Sequence, residues 1–388
     1  MIADMTSSVA GDPGRRTADL VVDADGHVCE PPDLWENGLP AHLSERGLRV
    51  RWNEETGFDV CTIEGSVVTE RGLAGLGNAG EGFDDFGRGR HYEDLNPAGF
   101  DPHERVKVLD AEGIDVSVMY PGLGLKLGGI QDPELAVWSC RIYNDWIAEW
   151  CAAAPERLKG TGALPMQDPV AAAAETRRIA ELGLVGSFVR PNAYLGVPFH
   201  DFVYTPVWEA LEETGLPLGL HITGSSDMPG AARGVGPWMA PGTHHALIPV
   251  VDQMITLSNL TYGGVLERHP GLKVAVLESG GGWIAHWMDR LNEFEESYAW
   301  TAAPMSLTAE EYFKRQCWIS FDPGERTPGA LGAIAGGDRF VWASDFPHND
   351  AKYPGVVDEL RARNDHLPEA ERIGLYGLNA SALYGLDL

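Results

Sequence analysis

Eight short apolar runs, separated by longer amphipathic stretches, constrain this sequence more than any other feature. Such alternation is expected where parallel strands are joined by helical crossovers. The runs are LVVDA (20–24), DVSVM (115–119), GTGAL (160–164), LVGSFV (184–189), PLGLH (217–221), KVAVLE (273–278), WISFD (318–322) and FVWASD (340–345). Eight strands in 388 residues predict an α/β fold, a TIM (β/α)₈ barrel with room for insertions. The two glycines of GTGAL weaken one strand and leave a doubly wound open sheet as the alternative.

The segments between and before these runs complete the predicted domain. Residues 133–151, with a stripe of Trp, Ile and Tyr, and the alanine-rich residues 170–182 predict helices of the outer ring. Residues 40–100 break the rhythm, because RVRWNEETGFDVCTIEGSVV predicts a hairpin and a Gly-rich acidic stretch follows it. We interpret them as an insertion after strand 1 that covers the active-site face or contacts a second subunit, with a plain surface excursion as the alternative. We predict that residues 1–18 form a loose N-terminal tail and that residues 19–388 form a single domain.

The composition excludes several classes of partner. A formal charge of −28, from 57 acidic and 29 basic residues, would repel nucleic acid and anionic lipid surfaces. No stretch approaches the roughly 20 apolar residues that cross a bilayer, and the N-terminus lacks the apolar core of a signal peptide. Five scattered cysteines without a CxxC pair favour neither a disulfide framework nor a zinc knuckle. We therefore expect a cytoplasmic protein that acts on a small molecule.

Polar side chains able to bind a metal follow three predicted strands, at the end where TIM barrels place their active sites. Asp25 and His27 in DADGH are two residues apart, so an extended backbone points both side chains to one face. His221 ends the fifth strand and Asp345 the eighth. Taken singly, each has a structural explanation as a capping aspartate or a core histidine. Four together favour a shared divalent ion, because a buried carboxylate without a cation is costly.

The order of these motifs resembles the amidohydrolase superfamily. Asp-x-His, LHITG, HPGLKVAVLESGGGW and FVWASDFPH follow one another between about residue 20 and residue 388. More narrowly, the sequence is similar to the amidohydrolase-related branch that includes aminocarboxymuconate-semialdehyde decarboxylase and the non-oxidative aromatic acid decarboxylases. The resemblance implies that Asp25, His27, His221 and Asp345 are metal ligands and that Asp345 also handles a proton. It also favours a homodimer, in line with the prevalence of two-fold assemblies.

The sequence departs from this branch at positions that bear on the metal and on the reaction. Many relatives open with His-x-His, whereas Asp25 stands first here and adds an oxygen ligand that hard ions favour. Two imidazoles and two carboxylates suit Zn²⁺, which we rank first, and also accept Mn²⁺ or Mg²⁺. Glu278 in LESGGGW stands where relatives often carry a catalytic histidine, so the reaction type stays open. Arg190 in GSFVRPN occupies the place of the bridging lysine of two-metal relatives, so we expect a single ion.

Four residues are further candidates for catalysis or substrate binding. We predict that Arg190 clamps a substrate carboxylate through two hydrogen bonds; the alternative is a structural salt bridge. We predict that Glu278 acts as a general base or acid if burial shifts its pKa; the alternative is that it anchors a nearby cation. His348 and Trp283 are candidates for substrate contact. A capping role for His348 and helical packing for Trp283 are the alternatives.

The segment ARGVGPWMAPGTHH (232–245) is rich in Gly and Pro and ends in His244 and His245. It predicts a long irregular loop after strand five, placed where it gates the pocket.

Three functions fit this predicted centre. In the first, the ion chelates a carboxylate and an adjacent oxygen of an aromatic or unsaturated acid, and Asp345 delivers a proton to the carbon that loses carbon dioxide. In the second, the ion activates a water, Asp345 or Glu278 removes its proton, and the hydroxide attacks an amide, ester or lactone. In the third, the barrel binds a metal without catalysis. The resemblance favours the decarboxylase, and the four retained ligands argue against the binding protein.

Overall fold

The computed structural model describes residues 20–69, 75–80, 91–191, 193–223 and 241–388, and eleven strands occur within them. They are β1 (Val22–His27), β2 (Arg49–Asn53), β3 (Phe58–Ile63), β4 (Ser66–Thr69), β5 (Val116–Tyr120), β6 (Leu158–Ala163), β7 (Gly186–Val189), β8 (Leu218–His221), β9 (Val274–Leu277), β10 (Cys317–Phe321) and β11 (Phe340–Trp342). Strand β1 and strands β5 to β11 form one eight-stranded sheet in sequential order, with parallel pairing throughout. Each of the eight predicted runs overlaps one of these strands.

The sheet curls until its first and last strands meet. The backbone amide of Asp345 donates to the carbonyl of Asp25 at 3.1 Å, and the amide of His27 donates to the carbonyl of Phe346 at 2.7 Å. These bonds join β1 to the segment that follows β11. The predicted TIM barrel is therefore confirmed, and the open-sheet alternative is wrong, because a doubly wound sheet would reverse its strand order at a switch point.

Helices follow the barrel strands and form the outer layer. The α-helices in the described residues are Leu34–Gly38, Pro102–Glu112, Pro133–Cys151, Pro169–Glu181, Thr205–Thr214, Pro241–Tyr262, Val265–Arg268, Ile284–Tyr298, Ala309–Gln316, Pro328–Leu331, Val356–Asn364, Glu369–Ile373 and Asn379–Tyr384. The helix predicted over residues 133–151 has those bounds, and the one predicted over 170–182 is shifted by one residue. The helix Pro241–Tyr262 includes residues predicted as loop, and the rest of that predicted loop lies outside the described residues.

Three of these helices begin with the same local signal, an aspartate followed by a proline. Asp101, Asp132 and Asp168 occupy the N-cap positions, and the side chain of each accepts hydrogen bonds from two backbone amides of the first turn. The following proline has no amide hydrogen to satisfy there and has a φ angle suited to a helix. Short local signals of this kind fix where the crossover helices start.

The insertion after the first strand is confirmed and carries a sheet of its own. Strands β2, β3 and β4 pair antiparallel, so the predicted hairpin gains a third strand. Residues 75–80 lie against the segment after β11, because Ala79 donates to the carbonyl of Pro347 at 3.1 Å and Asn349 donates to that of Gly75 at 3.1 Å. A role in covering the pocket stays a prediction, and the predicted tail (1–18) lies outside the described residues.

One apolar core extends from the barrel into the insertion. It includes Trp35, whose indole Nε1 donates to the carbonyl of Ser139 on the helix Pro133–Cys151 at 3.0 Å. All five cysteines are buried and free. Among the described residues, no helix is long and apolar enough to cross a membrane.

Candidate metal centre and active site

Three of the four predicted metal ligands come together at the carboxyl-terminal mouth of the barrel. Asp25 and His27 lie at the end of β1, and His221 is the last residue of β8. The Oδ1 atom of Asp25 lies 3.6 Å from Nε2 of His27 and 3.4 Å from Nε2 of His221, and these side chains are buried. Ligand atoms around a tetrahedral ion with bonds of about 2.0–2.1 Å are roughly 3.3 Å apart, so these spacings suit one ion.

The fourth predicted ligand joins this group through His27. Oδ1 of Asp345 lies 3.3 Å from Nε2 of His27. Two overlapping groups result, one of Asp25, His27 and His221 and one of His27, Asp345 and His348, each with ligand atoms within 4.8 Å of one another. The mouth therefore gathers the donor types that divalent ions such as Zn²⁺ and Mn²⁺ accept.

The backbone fixes how both imidazoles present their nitrogen atoms. Nδ1 of His27 lies 2.8 Å from the carbonyl oxygen of Pro121, and Nδ1 of His221 lies 2.7 Å from that of Ile222. A carbonyl only accepts, so each Nδ1 carries the hydrogen and each Nε2 presents a lone pair. Neither Nε2 atom, nor either carboxylate oxygen of Asp25, has a hydrogen-bond partner in the described structure. Buried lone pairs that face one another are unfavourable without a cation, so these residues fit a metal ion.

Strained backbone positions two further carboxylates at the mouth. Asp345, three residues past the end of β11, has a φ of 57°, and Glu278, immediately after β9, has a φ of 50°. Side chains with a Cβ rarely adopt this left-handed region, and each such residue costs about 1–3 kcal/mol. Such strain is typical of functional sites, where the surrounding fold holds a side chain in the position that the chemistry needs.

Asp345 and His348 form a hydrogen-bonded pair. Nδ1 of His348 donates to Oδ1 of Asp345 at 2.7 Å. Burial pushes the pKa of Asp345 up, but the imidazoles of His348 and His27 outweigh burial and lower it below its usual range. Burial likewise pushes the pKa of His348 down, and the Asp345 carboxylate outweighs it and raises that pKa. The proton of this pair therefore resides on His348, next to a carboxylate that faces the mouth.

Glu278 lies beside His221 at the centre. Its Oε2 atom is 3.5 Å from Nε2 of His221, and its backbone amide donates to Oγ of Ser320 at 3.1 Å. Burial, and then the carboxylates of Asp345 and Asp25, raise the pKa of Glu278 well above its ordinary value. The structure thus brings Glu278 next to His221, and its role as an acid or base stays a prediction.

A cavity of about 410 Å³ opens beside the centre. Its polar wall contains five carboxylates and one lysine: Glu278, Asp322, Glu325, Asp345, Asp350 and Lys352. Burial, with the carboxylates of Glu325 and Asp345, raises the pKa of Asp322 to about 6. An anionic ligand therefore needs positive charge in this cavity to offset its walls.

The other predicted substrate contacts lie away from this wall. Arg190 follows β7 and is buried, with its guanidinium 5.2 Å from the ring centre of Tyr194 and its backbone amide donating to the Tyr194 hydroxyl at 3.0 Å. Trp283 is partly buried against the apolar core, immediately before the helix Ile284–Tyr298. Neither residue is in the described lining of the cavity. The side chains of His244 and His245 lie outside the described structure.

A buried support that the sequence reading missed lies beneath the ligands. The carboxylate of Asp23 accepts from Oγ of Ser117 at 2.7 Å and from Oγ and the amide of Ser344 at 2.7 and 2.9 Å, so it joins β1 to β5 and to the segment after β11. Buried Arg105 donates to the carbonyls of His27 and Ala98. Asp23 alternates with Asp25 and His27 in DADGH, and this spacing was the available signal.

Glu30, three residues past His27, was also missed. It is buried, and its two carboxylate oxygens accept from the amides of Leu123 and Gly124 at 2.8 and 2.9 Å. These amides begin the turn Leu123–Gly129, so Glu30 ties the segment after β1 to the segment after β5. Burial raises the pKa of Glu30 from 4.5 to about 7 in spite of these hydrogen bonds.

Glu30→Gln should change how stability depends on pH. Because the folded-state pKa lies above the unfolded value, the folded protein binds the proton more tightly, and this stabilisation is complete below pH 4.5 and lost above about pH 7. The free energy of unfolding of the wild type, minus that of Glu30→Gln, should fall across this window by on the order of 3 kcal/mol. Urea unfolding between pH 4.5 and 8 with a metal chelator measures it. If the free energy of unfolding changes with pH in the same way in both proteins, the raised pKa of Glu30 is refuted.

A parallel barrel that gathers imidazole and carboxylate groups around one point at its mouth defines a class of enzymes that work with a divalent metal ion. A family model described as Amidohydrolase matches residues 22–386. The chain therefore belongs to the Amidohydrolase family, as the sequence resemblance predicted, and is an enzyme of that family.

Individual relatives agree with this membership. The chain is 26% identical over 318 residues to the gamma-resorcylate decarboxylase of Rhodococcus jostii (strain RHA1), covering 77% of this chain and 92% of the relative. An amidohydrolase of Mycobacterium avium subsp. paratuberculosis K-10 has a similar fold, with a TM-score of 0.79, 21% identity and coverage of 94% and 99%. A dihydroxybenzoic acid decarboxylase of Polaromonas sp. JS666, solved with manganese and the inhibitor 2-nitroresorcinol, has a TM-score of 0.66, 21% identity and coverage of 95% and 98%.

Proposed function

We propose that this enzyme removes carbon dioxide, without oxidation, from a small aromatic or unsaturated carboxylic acid. The observation that carries the proposal is the set of buried, unpartnered donor atoms of Asp25, His27 and His221, which open next to a cavity with room for a small ring. The similarity to a gamma-resorcylate decarboxylase supports the choice of reaction. A bound divalent ion would supply a Lewis acid for the carboxylate and a neighbouring oxygen of such an acid.

In this proposal Asp25, His27, His221 and Asp345 would hold one divalent ion. The Nδ1 hydrogen bonds of both histidines orient the lone pairs toward it. The sequence ranks Zn²⁺ first, and the manganese in the Polaromonas decarboxylase adds weight to Mn²⁺. Both accept two imidazoles with carboxylates, so metal analysis of the purified protein decides between them.

The chain's own residues supply the proton. As the bond to the carboxyl carbon breaks, its electron pair stays on the substrate carbon, and that carbon needs a proton. Asp345 passes on the proton that it receives from His348, to which it is joined by a hydrogen bond of 2.7 Å, and His348 is left neutral. Glu278, beside His221, is the second candidate for an acid or base. Arg190 and Trp283 stay proposals as substrate contacts, as does His348.

The test compares two chemistries on one protein sample. Protein reconstituted with Zn²⁺ or Mn²⁺ is incubated with hydroxybenzoic and unsaturated acids, and in parallel with amides, esters and lactones. We expect carbon dioxide and the decarboxylated product from at least one acid, and loss of this activity after chelation with recovery on adding the metal back. Hydrolysis products alone would reject the decarboxylase in favour of the hydrolase. A tightly bound ion with no turnover of any compound would favour the binding protein.

The homodimer and the cytoplasmic location are also proposals. Leu247, Val251 and Ile255 are exposed apolar residues spaced four apart on the helix Pro241–Tyr262, which supports an assembly of two copies. Light scattering of the purified protein gives its mass and decides between monomer and dimer.

A further inference from the structure

We propose that Lys126 binds the carboxylate of the substrate and so selects acids over their neutral analogues. The inference rests on the proposed function and adds a residue that the sequence patterns did not single out. Lys126 lies in the turn Leu123–Gly129, which follows β5 at the mouth of the barrel.

The geometry places the ammonium group beside the candidate metal centre. Nζ of Lys126 donates to the carbonyl of Thr223, two residues past His221. The Glu278 carboxylate acts on this ammonium group and partly offsets the lowering of the Lys126 pKa by burial. Nζ therefore lies by the end of β8, on the side of the centre where Glu278 approaches His221 at 3.5 Å.

The ammonium group of Lys126 has hydrogen-bond donors beyond the one that it gives to the protein. An ammonium group has three hydrogens, and in the described structure one of them is given to Thr223. No carboxylate of the described residues lies within ion-pair distance of Nζ, whereas the exposed Lys107 is 2.6 Å from Glu104. A half-buried cation held on a single carbonyl is stabilised when an anion joins it, and a substrate carboxylate is such an anion.

Contacts before and after Lys126 fix the turn Leu123–Gly129. Glu30 accepts from the amides of Leu123 and Gly124. Beyond the lysine, Gly128 packs against the stem of Arg190, so closely that a Cβ at this glycine would lie 2.8 Å from Cδ of Arg190. A preorganised cation loses less conformational entropy when it binds a ligand. Arg190, which stays a proposed substrate contact, thus also packs against the turn that presents Lys126.

The charge of the cavity favours the same role. Five carboxylates line it. Lys126 is not in the described lining, but its Nζ donates to the carbonyl of Thr223, next to Ile222 of that lining, so positive charge at this edge of the cavity would come from a bound ion and Lys126. An acid bound with its carboxylate between them avoids the acidic wall formed by Asp322, Glu325 and Asp350. Lys352 is the other lysine at the cavity, but it lies on this acidic wall and is exposed.

The experiment measures whether Lys126 recognises the carboxylate. Lys126→Met, Lys352→Met and Lys107→Met are compared with the wild type, each loaded with Mn²⁺ and checked for metal content and circular dichroism. Calorimetry gives Kd for 2,6-dihydroxybenzoate and for 2,6-dihydroxybenzamide, and for any other acid of the panel that is turned over or bound, with its amide. We expect Lys126→Met to weaken acid binding about 10- to 100-fold and to leave amide binding within about twofold. Lys107→Met, remote and exposed, should behave as the wild type.

Several outcomes would overturn the proposal. An unchanged acid-to-amide ratio in Lys126→Met, a loss of this ratio in Lys352→Met instead, or a wild type that binds no acid of the panel would each do so. If Lys126→Met does not fold, Lys126→Arg should keep most of the preference for the acid and Lys126→Gln should lose it. The proposed function fails separately: acids that bind through Lys126 without releasing carbon dioxide support the lysine and refute the decarboxylase.

Discussion

Asp345→Asn should lower kcat for carbon dioxide release by about 10³-fold, within the range that general acid catalysis supplies. Asparagine keeps the size of the side chain and an oxygen that can still bind the ion and accept the hydrogen bond from His348. It cannot receive the proton from that imidazole and pass it to the substrate. Steady-state kinetics on the acid identified in the panel measures the loss, and metal analysis should find the ion retained.

The matched control is Asp338→Asn. Asp338 lies at the other end of β11, is exposed, and pairs with Arg339 at 3.4 Å, so its change should leave kcat within about twofold of the wild type. Asp345→Asn activity within tenfold of the wild type, with the metal in place, would contradict a proton-transfer role. Loss of the metal together with activity would show that the carboxylate mainly holds the ion.

The barrel could be predicted because each strand is a compact apolar run. All eight strands are buried along most of their length, and strands buried on both faces appear in the sequence as continuous apolar runs. Even β6, written LKGTGA, forms, although glycine is unfavourable in a strand. A Cβ at Gly162 would lie 2.7 Å from Cδ1 of Ile179, so the close packing of the helix Pro169–Glu181 requires this glycine.

The ligands could be predicted for a different reason. Asp25, His27, His221 and Asp345 are polar residues at or just after the ends of apolar strands, and the carboxyl ends of parallel strands meet at one mouth. The sequence alone therefore indicates that they converge. It does not indicate the left-handed φ of Asp345 or Glu278, because these angles arise from how each loop leaves the barrel.

The residues missed by the sequence reading act through contacts distant in the chain. Lys126 meets the carbonyl of Thr223, 97 residues later, and Glu30 meets the amide of Gly124, 94 residues later. No spacing or local motif connects such pairs, since the fold alone brings them together. Helix Pro241–Tyr262 was missed in part because its first residues, PGTHH, contain glycine and proline, which favour turns in isolation.

His221→Ala should weaken metal binding strongly and, at limiting metal, abolish turnover. The His221 ring brings one lone pair to the centre, 3.4 Å from Oδ1 of Asp25. A structural metal site has a binding free energy of about 10–16 kcal/mol. If four ligands share this energy equally, the loss of one ligand lowers the metal affinity by roughly 10²- to 10³-fold. At a metal concentration equal to the wild-type Kd, the variant should be at most about 1% occupied and release no carbon dioxide above background. Metal analysis after gel filtration measures the occupancy.

Stability supplies a readout that does not depend on any substrate. Metal at 100 times its Kd should raise the free energy of unfolding of the wild type by about 2.7 kcal/mol, and this increment should vanish in His221→Ala. The increment is more informative than absolute stability, because truncating a buried ring leaves a cavity that lowers stability with or without metal. His103→Ala, which changes an exposed histidine on the helix Pro102–Glu112, should keep the full increment. An increment that survives in His221→Ala would mean that the ion binds elsewhere, because a site missing one of four ligands cannot hold the metal as tightly as the complete set.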